Sequence, residues 1–492
     1  MTRDAPDLVL ANARIVGGPD APTDVTIRGG LVASIGRNDD AALERLDLEG
    51  RFLIPGLWDH HVHFSQWAKM RTRLDVTRGE SAAQVAQLVA QRMAADVDHE
   101  ATLVGFGFRD ALWADLPTAQ ALDVVAPHRA VVLISGDLHS VWVNSAAQTR
   151  YGLVHHGLLR EEEAFAVEGM LAEDSHDARH VLTMAAVHDA AARGVVGIID
   201  YEMDDNVEVW AARMADGLDQ LRVKAGFYKG MLGEMIERGM RTGQVIDGTG
   251  GLLSVGALKI ISDGSLNTRT AYCHDSYPDT VNFGTNNVPP AELEGFMQEA
   301  ADHGFEAAIH AIGDLANTLA LDAFEATGAR GSIEHAQLLT AEDIERFARL
   351  GVVASVQPEH AMDDRDVADA LWPGRTERAF PLASLQDAGV RIALGSDAPV
   401  APLDPWVAIA AAVERSRDGR DPWHPEQQLT RAAALAASTQ FPAVAVGMPA
   451  DLVACEESPL TASADVLRTM GVALTLVGGR VTWSSTRSDA SP

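Results

Sequence analysis

The sequence predicts an α/β protein, a (β/α)8 TIM barrel with a small β-sandwich domain formed by both termini and a large insertion after the first barrel strand. Three observations carry that expectation. Apolar, strand-like runs alternate with helical stretches eight times along the middle of the chain, the rhythm of βα units. Short β-rich segments punctuated by Gly and Pro flank this middle at both ends. One connection is too long to be a plain βα link.

The elements follow in order. Leu8–Leu10, Ala13–Val16, Asp24–Ile27 and Leu31–Ile35 read as short strands parted by Gly-Gly and Pro signals. The same texture returns at Asp451–Ala454, Val472–Val477 and Arg480–Trp483. Residues 1–56 and 446–485 are therefore expected to build one composite sandwich, with residues 57–445 forming the barrel. One barrel strand ends at His61, and seven more are read at Val195–Ile199, Arg222–Gly226, Ala257–Ser262, Glu306–Ala311, Gly331–His335, Val352–Gln357 and Arg391–Ser396. The stretch from about residue 65 to 185 is an insertion over the barrel mouth. It holds Trp67, Trp113, Trp142 and a strand-like Ala130–Ile134, and long loops in that position commonly serve as lids or binding loops. Ser484 to Pro492 are small and polar and read as a frayed end.

Composition narrows the function. The 492 residues are 47% hydrophobic and 22% charged, with 39 Lys and Arg against 70 Asp and Glu, a formal charge of −31. Such a surface argues against nucleic-acid or anionic-membrane partners and leaves a small-molecule substrate. The two cysteines, Cys273 and Cys455, form neither a disulfide framework nor a metal pair, which fits a reducing cytoplasm. Met1 to Val16 lacks the apolar core of a signal peptide, and no run approaches the roughly 18 apolar residues of a membrane span. A homodimer is the default expectation, from the general frequency of twofold assemblies.

The chemistry starts at His61-Val62-His63. Residues two apart on a strand point the same way, so both imidazoles can close on one ion. Alone, the tripeptide is weak evidence; most such tripeptides bind nothing. Its context strengthens it, because Lys259, His310, His335 and Asp397 each follow or end an apolar run, where a barrel collects its active-site groups. Imidazoles and a carboxylate suit Zn²⁺ first, and also Mn²⁺, Fe²⁺ or Co²⁺, with one or two ions per chain. Lys259, in an apolar strand, is costly while charged. A neutral amine there could take up CO2 as a carbamate and bridge two ions; the plainer reading is a buried lysine paired with an acid such as Asp263. Bound metal would bring the pKa of its water toward neutrality. The hydroxide would attack a polarised carbonyl, and Asp397 would carry the proton to the leaving nitrogen.

Seven ordered blocks then match a family. They are Pro55–His63, His139–Ala147, Lys259–Leu266, His310–Asp314, Ile333–Gln337, Ser355–His360 and Gly395–Pro399. On these the chain resembles the amidohydrolase superfamily, and within it the amidohydrolase 3 group of YtcJ-like proteins and N-substituted formamide deformylases. The resemblance implies a divalent-metal hydrolase of non-peptide carbon–nitrogen bonds. It implies that His61, His63 and Asp397 hold one ion, that His310 and His335 hold the other, and that a carboxylated Lys259 bridges them. It further implies pocket-lining roles for His139, Trp142, Asn144 and His360, though Trp142 could equally be core. Asp263 and Asp314 are expected to orient metal-bound histidines, with a helix cap as the alternative for Asp314. Asn267 stands where the family usually has Gly, and His60 where it often has Ser. The same centre could cleave a carbamate, lactone or other ester. A scaffold that has lost its metals is the remaining alternative, and it normally lacks ligand residues that this chain keeps.

Overall fold

The computed structural model describes residues 6–96, 100–153, 157–171 and 176–485; the tail read as frayed lies, from residue 486, outside them. Eight parallel strands form the barrel sheet: β1 (Leu57–Val62), β2 (Val195–Asp200), β3 (Arg222–Tyr228), β4 (Leu253–Ile261), β5 (Ala307–Ala311), β6 (Gly331–His335), β7 (Val353–Val356) and β8 (Ile392–Leu394). Each pairs with its sequence neighbour. Their apolar runs are buried on both faces, as a covered parallel sheet requires.

The barrel closes just beyond β8. Asp397 N–H donates to His61 O at 2.7 Å, and His63 N–H donates to Ala398 O at 2.7 Å. Gly395 makes this approach possible, because a Cβ there would lie 2.8 Å from both the His61 nitrogen and its Cβ. Asp59 adds a side-chain stitch, accepting from Ser396 N–H at 2.9 Å and from His61 N–H at 3.2 Å.

The two chain ends share one sheet. Phe52–Pro55 pairs parallel with Leu8–Ile15 on one side and antiparallel with Leu452–Cys455 on the other. Val472–Val477 and Arg480–Ser484 extend it beyond Leu452–Cys455, and Thr23–Arg28 and Leu31–Ile35 extend it beyond Leu8–Ile15. Leu10, Ile27, Leu53, Leu452 and Leu476 fill the space between. Glu44–Asp47 adds a strand beside Leu8–Ile15 that the sequence reading does not contain.

The insertion is a folded unit with its own core. Five strands run in the order Leu158–Arg160, Ser140–Val143, Val131–Ser135, Leu103–Phe108 and Leu74–Asp75. Trp142 lies at its centre, fully buried, with its ring 6.1 Å from that of Phe108 and 6.4 Å from that of Trp113. Trp67 belongs elsewhere, on the helix Phe64–Met70, packed on Phe64 against the barrel. Among the described residues, no helix is long and apolar enough to cross a membrane.

Candidate active site

The C-terminal ends of the barrel strands and the insertion enclose a cavity of about 450 Å³. At its floor two sets of potential ligands converge: His61, His63 and Asp397, and His335, His360 and Asp397. Asp397 is common to both. Its Oδ1 lies 3.5 Å from His61 Nε2 and 3.4 Å from His63 Nε2, and its Oδ2 lies 3.8 Å from His360 Nε2. Burial pushes its carboxyl upward, but His61, His63 and His335 outweigh that and hold it well below the ordinary carboxylate range. The backbone is bent to present these groups: His335 (φ 72°) and Asp397 (φ 57°) both lie in the left-handed region, which non-glycine residues enter at a cost.

His61 is oriented from behind. Its Nδ1 lies 2.6 Å from Glu334 Oε2, and Glu334 is fully buried, also accepting from the Ser332 hydroxyl. Although burial raises the Glu334 carboxyl, His61 and Lys259 bring it down to about 2. It is thus an acceptor only, so the His61 proton sits on Nδ1 and the Nε2 lone pair faces the cavity. Burial and the nearby Lys259 amine lower the His61 imidazole to about 4, keeping it neutral. The sequence reading places Glu334 in a matched block but gives it no role. Its one signal was an acidic residue inside an apolar strand, with no hint of a partner at position 61. Replacing it by Gln should leave the fold intact and weaken metal binding about 10- to 100-fold. Metal retention during titration with a chelator measures this, and wild-type retention would remove Glu334 from that role.

The donor set fits a divalent ion. His360 Nε2, which faces Asp397, is a buried nitrogen with no hydrogen-bond partner among the described residues, an arrangement that is expensive unless a ligand is meant to meet it. Nitrogen and carboxylate donors of this kind suit zinc-like ions.

Comparison with known proteins agrees. The sequence pattern of the Amidohydrolase family matches residues 44–483. The chain belongs to the amidohydrolase family. It is 28% identical to YtcJ of Bacillus subtilis (strain 168), over 76% of this chain and 75% of YtcJ. It is 25% identical to the N-substituted formamide deformylase of Arthrobacter pascens, over 98% of each. A metal-dependent hydrolase from Pyrococcus horikoshii OT3 shares its fold with a TM-score of 0.76 at 22% identity, over 93% of this chain and 99% of that one. This amidohydrolase is accordingly a metal-dependent hydrolase.

One expectation is overturned. The metal-binding groups of this amidohydrolase are His/His/Asp triads, and a carboxylated Lys259 does not bridge them. The shared anion is Asp397 itself. Lys259 Nζ instead lies 3.3 Å from His61 Nε2 and 4.7 Å from the centre of the Tyr201 ring. Burial lowers its amine to about 8, while Glu334 and Asp397 pull it up. Those two carboxylates and the ring face favour a cation at this point and disfavour an added negative charge.

The remaining expected residues fall in several places. His310 meets His335 edge to face, ring centres 4.4 Å apart, but stands outside both triads, its Nε2 3.2 Å from Gly264 O. His360, expected as a pocket-lining residue, completes the second triad. Asp263 lies 3.4 Å from His310 Nε2 and also accepts from the Ile312, Gly313 and Tyr272 N–H groups, fixing the loop after β5. Asp314 touches no histidine ring of the triads; it accepts from His274 N–H and pairs with Arg378. Nor does it cap its helix, since Gly313 occupies that position. His139 lines the cavity, its Nδ1 2.7 Å from Glu161 Oε2. Trp142 and Asn144 do not line it. The Trp142 indole donates to Thr118 O within the insertion. Asn144 caps the helix Ser145–Tyr151, its Oδ1 accepting from Val131 and Ala147 and its Nδ2 donating to Ala126 and Arg129 carbonyls. All its hydrogen-bonding capacity is spent inside the insertion. His60 faces away from the cavity, held by Leu394 O and Gln440.

Proposed function

We propose that this protein hydrolyses a non-peptide amide bond, an N-substituted formamide or similar amide, with Asp397 as the proton carrier. The observation that carries the reading is the pair of His/His/Asp triads meeting at Asp397 on the floor of the cavity. His61, His63 and Asp397, or His335, His360 and Asp397, or both sets, would hold a divalent ion, which would supply Lewis acidity for the hydrolysis. The side chains do the rest. Glu334 holds the His61 ring with Nε2 forward. Asp397, ionised because histidines surround it, takes a proton from the attacking water and delivers it to the departing nitrogen. The insertion closes over the mouth and limits competing water.

The relative from Arthrobacter pascens is an N-substituted formamide deformylase, so formamides head the test panel. Protein stripped with a chelator and reloaded with zinc, manganese or cobalt is assayed for formate and amine release. Turnover at least about 100-fold above the stripped protein, returning with metal, is the expected result. A panel of formamides, acetamides and carbamates left uncleaved by fully loaded protein would rule the reading out.

A further inference from the structure

Two carboxylates stand side by side on the cavity wall, Asp363 and Asp364, and they are treated differently. Asp363 is neutralised: Arg109 reaches it at 2.9 Å and Arg417 at 2.8 Å. Asp364 is 8% exposed and, among the described residues, forms no ion pair. Its Oδ1 accepts from the Asn267 amide at 3.1 Å and its Oδ2 from the Gln337 amide at 3.2 Å. Neutral amides satisfy geometry without supplying charge, and a buried carboxylate lacking a counter-charge is expensive. Burial accordingly pushes the Asp364 carboxyl up, with His360 and Arg109 opposing and Asp363 adding to the rise.

Asp364 belongs to the helix Pro358–Leu371, four residues after His360. Positions four apart on a helix share a face, their Cβ atoms about 6 Å apart. The carboxylate therefore stands roughly one helical turn from a member of the second triad and faces the same space. Asn267 arrives from the loop after β4 and Gln337 from the loop after β6, so two separate loops converge to aim one side chain.

We propose that Asp364, held by Asn267 and Gln337, is a substrate subsite for a cationic nitrogen group, an ammonium or amidinium carried one helical turn from the scissile bond. The cation supplies the counter-charge that the protein omits and makes charge-assisted hydrogen bonds to the lone pairs the amides leave free. This deepens the hydrolase reading and rests on it only for the position of the scissile bond.

The test measures binding, so it stands apart from turnover. Hexylammonium chloride and 1-hexanol are titrated into the full-length protein at about 0.15 M salt, where long-range attraction to the acidic surface is screened. Calorimetry reads both affinities, with and without metal. Wild-type protein should favour the ammonium by at least about tenfold, and Asp364→Asn should lose that preference while binding the alcohol as before. Asn267→Ala, which keeps the carboxylate but frees its orientation, should lose about threefold of the preference. It serves as the second probe if Asp364→Asn melts without cooperativity. No ammonium preference in the wild type, or an unchanged preference in the folded variants, would overturn the proposal. A preference that persists in protein inactive on every amide would sink the hydrolase reading alone.

Discussion

Asp397→Asn should cut kcat by about 10²- to 10⁴-fold while leaving the melting transition cooperative. Asn nearly matches the carboxylate in size, so the seam between Asp397 N–H and His61 O survives. What disappears is the negative charge drawn down by three histidines and the capacity to receive a proton. Because both triads use this carboxylate, metal affinity should fall as well. Turnover measured at saturating metal separates the two effects. If kcat recovers to within threefold of wild type once metal is saturating, Asp397 is a ligand and not the proton carrier.

His61→Ala should abolish metal-dependent turnover. The substitution removes one member of the first triad and takes the imidazole donor from Glu334, a fully buried carboxylate that would keep only the Ser332 hydroxyl of these two partners. Taking the hydrogen-bond donor from a buried acceptor costs about 1–3 kcal/mol, so the variant should also melt lower than the wild type. Combining His61→Ala with Glu334→Gln should return part of that stability without returning activity. A double variant no more stable than the single one would show that Glu334 is not strained by the loss of the imidazole. Stability and activity are thus expected to separate at this pair, the first restored by neutralising Glu334 and the second not.

The barrel was legible because its strands are apolar runs bounded by polar turns, although β3 runs two residues further than expected, to Tyr228, and β4 begins four residues earlier, at Leu253. β8 stops at Leu394, although Gly395 N–H still donates to Val356 O at 3.0 Å as Gly395 comes to lie against His61. The insertion sheet was harder. Leu103–Phe108 carries Gly105 and Gly107 where strand formers are expected, and a Cβ at Gly105 would meet the Leu133 side chain at 2.6 Å. Glu44–Asp47 has three charged residues in four and pairs only because Leu8–Ile15 offers it an edge.

At the site, His61, His63, His335 and Asp397 could be found because each lies at or just beyond the end of a strand. His360 was harder to place as a ligand, since it opens a helix and not a strand end. Glu334 and Asp364 were harder still, because their meaning lies in partners far away in sequence. Lys259 misled for the opposite reason: a lysine in an apolar strand suggests modification, whereas here an aromatic face and two carboxylates accommodate the amine unmodified.

The closure between β1 and β8 carries a last consequence. A (β/α)8 sheet has one joint at which its first and last strands must meet, and here the hydrogen bonds of that joint come from His61, His63, Asp397 and Ala398. The backbone that fastens the hoop is the same backbone that carries one whole ligand triad. An ion gripped by those side chains is therefore a rivet through the fastening, tying positions 61 and 397 across the intervening chain. Anything that prises the hoop open dismantles the catalytic floor in the same movement, and anything that occupies the floor holds the hoop shut.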